Sequence, residues 1–169
     1  MEDDDFGEFL QARIARLSRI AFLLTGDHHA AEDLLQASLE KVAQHWKRIR
    51  RSGAPDAYVR RVLYHEHVSI WRKTRLETAT DSIPEPAPSA DEAEDVVRRV
   101  VLQRALSRLT PRQRAVVVLR FFEDLPVSDA AQVLGCSEGT VKSQTSLALT
   151  RLRQLAPELD DFSREGVLT

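Results

Sequence analysis

Residues 127–146 read VSDAAQVLGCSEGTVKSQTS, and the spacing within them sets the expectation for the second half of the chain. Ala131 is small where two helices must cross closely, and Gly135, four residues on, suits the left-handed backbone of a tight turn. Val141, six residues further, is an apolar plug that locks a second helix onto the first. Ser137 is a natural N-cap. It opens a helix whose exposed face carries Glu138, Thr140, Lys142, Ser143 and Gln144. This is the layout of a helix-turn-helix. Its second helix can lie in a major groove, with short hydroxyl and amide side chains reading base edges and Lys142 meeting phosphate or guanine. A plain helical hairpin with polar residues facing water shares the spacing, so the motif needs independent support.

Outward from this motif the pattern stays helical. Thr110-Pro111-Arg112-Gln113 places a capping Thr, a Pro at the first helical position and a Gln at the third, a capping box that opens a helix reaching Phe122. A helix from about Val96 to Leu109 precedes it. In the first half, Phe6, Leu10, Ile14, Leu17, Ala21 and Leu24 recur at three- and four-residue steps and predict one helix. Gly26 stops it, and Asp27 caps a second helix with Glu32 and Asp33 in its first turn and an inward stripe of Leu35, Leu39, Val42, Trp46 and Ile49. A third helix starts at Pro55 or Asp56, its apolar side formed by Val59, Val62, Leu63 and Ile70. Nothing alternates with period two. The expectation is all-α: an N-terminal three- to four-helix bundle over 6–76 and a C-terminal four-helix domain over 96–156, followed by a short tail over 157–169. Between them, residues 77–95 (ETATDSIPEPAPSADEAED) hold three prolines, seven acids and one large apolar residue, Ile83. They read as a flexible, acidic Pro/Ala linker.

The net charge of −2 over 169 residues hides a segmented pattern. Residues 41–76 carry ten basic side chains against two acidic, and residues 96–156 ten against four. Residues 1–40, 77–95 and 157–169 are each acidic. Two cationic blocks separated by an anionic one are the electrostatic footprint of a polyanion partner, although arginines can also simply solvate helix faces. The lone Cys136 excludes an internal disulfide and a cysteine-based zinc site, which makes a reducing cytoplasmic setting the default. His65 and His67 lie two apart on a helix and point to different sides, so no metal is expected. No apolar run is long enough to insert in a membrane. No Gly-rich loop cradles phosphate, and no His is placed to activate Cys136. Catalysis, a cofactor and a small-molecule substrate are therefore not expected.

Several segments together resemble one family. Arg108-Leu109-Thr110-Pro111-Arg112-Gln113-Arg114, Val118-Leu119-Arg120-Phe121, Leu134-Gly135-Cys136-Ser137 and Gly139-Thr140-Val141-Lys142-Ser143 are similar to the promoter-reading domain of bacterial sigma factors, most of all the small extracytoplasmic-function (ECF) group. Ala31-Glu32-Asp33-Leu34-Leu35-Gln36 resembles that group's polymerase-binding helix. Ala57-Tyr58-Val59-Arg60-Arg61-Val62-Leu63 with Trp71-Arg72-Lys73 resembles its DNA-melting helix.

The resemblance implies a non-catalytic initiation subunit that binds core RNA polymerase and promoter DNA and is commonly held inactive by an anti-sigma factor. It implies polymerase contacts at Asp33, Leu34, Gln36 and Glu40. It implies minus-35 contacts at Ser137, Thr140, Lys142, Ser143, Gln144 and Arg151. Minus-10 reading and melting would fall to Arg48, Arg50, Arg51, Arg60, Arg61, Tyr64, His65, Trp71 and Arg72. Trp46 and Trp71 lie near the apolar stripes and read first as core, whereas Tyr64, off the stripe, is the better base-stacking candidate. Five positions depart from the family's habit: His65 for Asn, Ala37 for Glu, Gln144 and Leu147 where arginines are frequent, and Pro126 where a capping Ser or Thr is common. An ordinary helix-turn-helix regulator with a dimerising N-terminal domain is the competing reading, and the matches at Asp33–Gln36 and Arg60–Arg75 speak against it.

Overall fold

The computed structural model describes residues 2–77 and 93–157, and the helices fall into two compact units, Met1–Glu77 and Thr78–Thr169. Residues 78–92 of the expected linker and the tail from 158 lie outside the described residues. Among the described residues the structure is helical, without a strand.

The first unit holds α1 (Glu2–Gln11), α2 (Ile14–Thr25), α3 (His28–Gln44), α4 (Trp46–Arg51) and α5 (Pro55–Glu77). Two expected helices are each broken once. The first breaks at Ala12 and Arg13, where the Arg13 amide turns back to the Leu10 carbonyl at 2.9 Å. The Arg13 guanidinium then bridges three partners: it donates to the Phe9 carbonyl, lies 4.0 Å over the Phe9 ring, and pairs with Asp56 at the start of α5, Nη2 to Oδ2 at 2.9 Å. That pair holds the Asp56 carboxyl below the usual carboxylate range. Its contribution is therefore present at neutral pH and fades only as acid titrates the carboxyl through that lowered pKa. The second break is at His45. It lets Trp46 meet Phe6 and Phe9 at ring-centroid distances of 5.0 and 4.8 Å. Apolar periodicity runs through both breaks, which is why the sequence does not reveal them.

α3 packs against α2 and α5. Its inward face is Ala31, Leu34, Ser38 and Val42, all buried, with the Ser38 hydroxyl donating to the Leu34 carbonyl at 2.7 Å. This corrects the expected stripe. Leu35 and Leu39 are only half-buried, because the small residues Ala31 and Ser38 admit the neighbouring helices more closely than leucines would. α5 turns Val59, Leu63, Tyr64 and His67 inward, while Ile70 is exposed.

The second unit holds α6 (Ala93–Ser107), α7 (Pro111–Val117) continued by a π-helical turn (Val118–Phe122), α8 (Val127–Leu134) and α9 (Glu138–Leu155). The capping box is present: the Thr110 hydroxyl accepts from the Gln113 amide, and the Gln113 side chain accepts from the Thr110 amide. Thr110→Ala should therefore cost about 1 kcal/mol, measurable as a lower denaturation midpoint with unchanged slope. Arg114, read from sequence only as part of a motif, is buried, and burial pushes its guanidinium down to about 10. It stays charged at neutral pH.

Candidate functional site

Three surfaces bear on function. The first is the helix-turn-helix. Gly135 takes φ +65° and ends α8, as a residue without Cβ allows. Ala131 and Val141 are buried at the crossing. The Ser137 hydroxyl accepts from the Thr140 amide at 3.1 Å and lies 2.9 Å from the Thr140 hydroxyl, fixing the start of α9. Lys142, Ser143 and Arg151 are exposed, and Thr140 and Gln144 half-exposed. The small side chains are not free rods: Ser143 donates to the Thr140 carbonyl at 3.0 Å. Leu147 stands 55% exposed among them.

The second surface lies on α4 and α5. Arg48, Arg50 and Arg51 are exposed on α4, and Arg61, His65 and Arg72 are exposed on α5 at spacings of four and seven residues, hence on one face. Arg60 is half-buried. Arg50 is not a lone cation, since it pairs with Asp5 from the acidic first helix. Lys41 likewise pairs with Glu66. Tyr64 corrects the sequence reading: it is 0% exposed, so its ring cannot stack on a base without α5 leaving the bundle. Trp71, read first as core, is 42% exposed, while Trp46 is core.

The third surface is on α3. Asp33, Gln36 and Glu40 are exposed on one face, with Gln36 donating to the Glu40 carboxylate at 3.2 Å. Leu34 is 1% exposed and cannot touch a partner, which corrects its place among the contact residues. What the sequence reading missed is beside it. Phe6, Leu35, Leu39 and Ala43 form the floor of an open groove of about 440 Å³, rimmed by Glu32, Gln36 and Glu40. Glu32 and Asp33 also fall beyond the first turn of α3, which begins at His28, so complementing the helix dipole explains little of them. The signal for the groove was a second apolar arc, Leu35, Leu39 and Ala43, set beside the buried one.

Among the described residues no group of three or more His, Cys, Asp or Glu side chains could hold a metal ion, and no helix is long and apolar enough to cross a membrane.

Residues 9–77 match the family Sigma-70 region 2, and residues 99–152 match Sigma-70, region 4. The RNA polymerase sigma-E factor of Streptomyces coelicolor is 39% identical over 159 residues, covering 92% of this chain and 89% of that protein. The ECF RNA polymerase sigma factor SigL of Mycobacterium tuberculosis is 32% identical over 150 residues, covering 86% of this chain and 85% of that one. Among solved structures, the sigma factor RpoE of Bartonella quintana, crystallised with the anti-sigma factor NepR, aligns with a TM-score of 0.67 at 27% identity. The alignment covers 90% of this chain and 97% of that one.

Proposed function

The chain belongs to the ECF group of the sigma-70 family of RNA polymerase sigma factors, and we propose that its two helical units divide that family's work along the surfaces described above. As a sigma factor it directs RNA polymerase to promoters. The chemistry of transcription stays with polymerase in the cytoplasm; this chain supplies recognition and positioning. Residues 6–76 dock on core polymerase through α3 and engage the minus-10 element through α4 and α5. Residues 96–156 read the minus-35 element through α9, and residues 77–95 tether the two.

The observation that carries this division is that one small unit presents two surfaces of different chemistry. The groove on α3 is apolar with an acidic rim, suited to a protein helix bearing basic flanks. The face of α4 and α5 is arginine-rich with an exposed indole, suited to phosphates and unstacked bases. On α5, Arg61 and Arg72 track the backbone, His65 meets a base edge, and Trp71 takes over the stacking role first given to Tyr64. The sigma factor RpoE of Bartonella quintana is bound by the anti-sigma factor NepR. A partner of that kind for this chain would compete for one or both surfaces.

Run-off transcription with purified core polymerase on a pool of genomic fragments tests the reading. Discrete transcripts that depend on the chain are expected, and their absence despite active core enzyme would overturn it. Within the same assay, Lys142→Ala should leave core binding intact and weaken promoter use. It should also reduce the slope of log affinity against log salt by about 0.9, the share of one phosphate contact. An unchanged slope would remove Lys142 from the contact set.

A further inference from the structure

The exposed face of α9 is poorer in hydrogen-bond donors than its sequence suggests. One of the Ser137 and Thr140 hydroxyls donates to the other, Ser137 accepts from the Thr140 amide, Ser143 donates to the Thr140 carbonyl, and Thr145 donates to the Val141 carbonyl at 2.7 Å. Three of these four hydroxyl protons are engaged on the helix itself, and the fourth stays free on one member of the Ser137–Thr140 pair. Base-edge donors here are then Lys142, Gln144, Arg151, one hydroxyl of the Ser137–Thr140 pair and the exposed Ser146. Amid these polar residues stands Leu147, one turn after Ser143, two turns after Thr140 and one turn before Arg151. Val141 and Ala148 face inward and are fully buried, so the Leu147 side chain projects away from the domain core, 55% exposed.

We propose that Leu147 is a specificity-determining residue of the promoter contact, packing its side chain on the C5 methyl of a thymine in the major groove. The inference rests on α9 being the promoter-reading helix. Of the four bases only thymine carries an apolar group on its major-groove edge, so an aliphatic side chain there selects by contact area where an arginine would select by hydrogen bonds to guanine. With most of its hydroxyl protons engaged on the helix itself, this face gives added weight to the apolar contact. Lone exposed leucines are common on protein surfaces. This one sits on the groove-facing line of a recognition helix, where dehydration on binding turns exposure into affinity.

The test is a methyl scan. The full chain bound to core polymerase selects duplexes from a randomised pool, and each thymine of the enriched minus-35 element is then replaced by uracil, which lacks only the methyl. Wild type should lose about fourfold in affinity at one thymine, the loss expected for one buried methyl-sized group. Leu147→Ala should bind the thymine and uracil duplexes equally and show a relaxed base preference at that position in a repeated selection. A scan with no methyl-dependent position, or the same thymine-to-uracil loss in Leu147→Ala, would overturn the assignment of Leu147. Failure of the wild-type complex to enrich any element would instead overturn the promoter-reading function on which it rests.

Discussion

Replacing Leu35 and Leu39 together with Asp should abolish binding to core RNA polymerase while leaving the bundle folded. Both leucines are half-buried on the floor of the α3 groove, and neither belongs to the buried arc of Ala31, Leu34, Ser38 and Val42. The free protein can hydrate the new carboxylates at the groove mouth. In the complex they would lie desolvated against the partner's apolar anchors, beside the acids Glu32 and Glu40. Truncating a central apolar contact commonly costs about 2 kcal/mol, and adding a buried charge raises that. The combined loss should reach at least about 100-fold in affinity. Thermal unfolding should fall by about 10–15 °C, the effect of roughly 2 kcal/mol on a domain of this size, short of unfolding it at 25 °C. Wild-type affinity for core enzyme would show that polymerase docks elsewhere.

Tyr64 and Trp71 make a second, opposed pair. Tyr64→Ala should destabilise the first unit by about 3–5 kcal/mol, because the ring is fully enclosed between α5 and its neighbours. That approaches the whole stability of a small domain, so the variant should be largely unfolded by circular dichroism at 37 °C. Trp71→Ala, whose ring is 42% exposed, should cost far less, about 1 kcal/mol. Its defect should appear in promoter opening, read as reduced permanganate reactivity of minus-10 thymines, with closed-complex formation near normal. A stable Tyr64→Ala protein with an opening defect, together with a destabilised Trp71→Ala, would reverse the two roles.

These two aromatics also show where sequence reasoning reached its limit. Hydropathy picks out the aliphatic residues of α5, Val59, Val62, Leu63 and Ile70, as its inward stripe. The true inward arc passes through Tyr64 and His67, a polar-edged ring and an imidazole that hydropathy alone assigns to the surface. The same substitution of small and polar residues for leucines hid the inward face of α3, where Ala31 and Ser38 are buried and Leu35 and Leu39 are not. Breaks at Arg13 and His45 were invisible because side-chain contacts with Asp56, Phe9 and Trp46 set them, not local propensity. By contrast, α8 ends before Gly135 and α9 follows the Ser137 cap, as the spacing of Ala131, Gly135, Ser137 and Val141 predicts. Gly135, Ser137, Thr110 and Asp27 each take the turn or capping role their side chains dictate. Local chemistry was readable; the rotation of a helix about its axis depends on partners distant in sequence.

The surfaces themselves divide the same way. The cationic faces of α4, α5 and α9 could be read from charge alone, because burying so many arginines is unaffordable. The α3 groove could not, since it needs Phe6 from α1 brought beside Leu35 and Leu39 by the turn at Arg13.

Fluorescence anisotropy of a labelled promoter duplex, titrated with the purified chain with and without core RNA polymerase, tests the central proposal most directly. Sequence-specific retention of the duplex should appear only when core enzyme is present, with weak and indiscriminate binding by the chain alone. Tight, specific binding by the chain alone, with no further change on adding core enzyme, would contradict it.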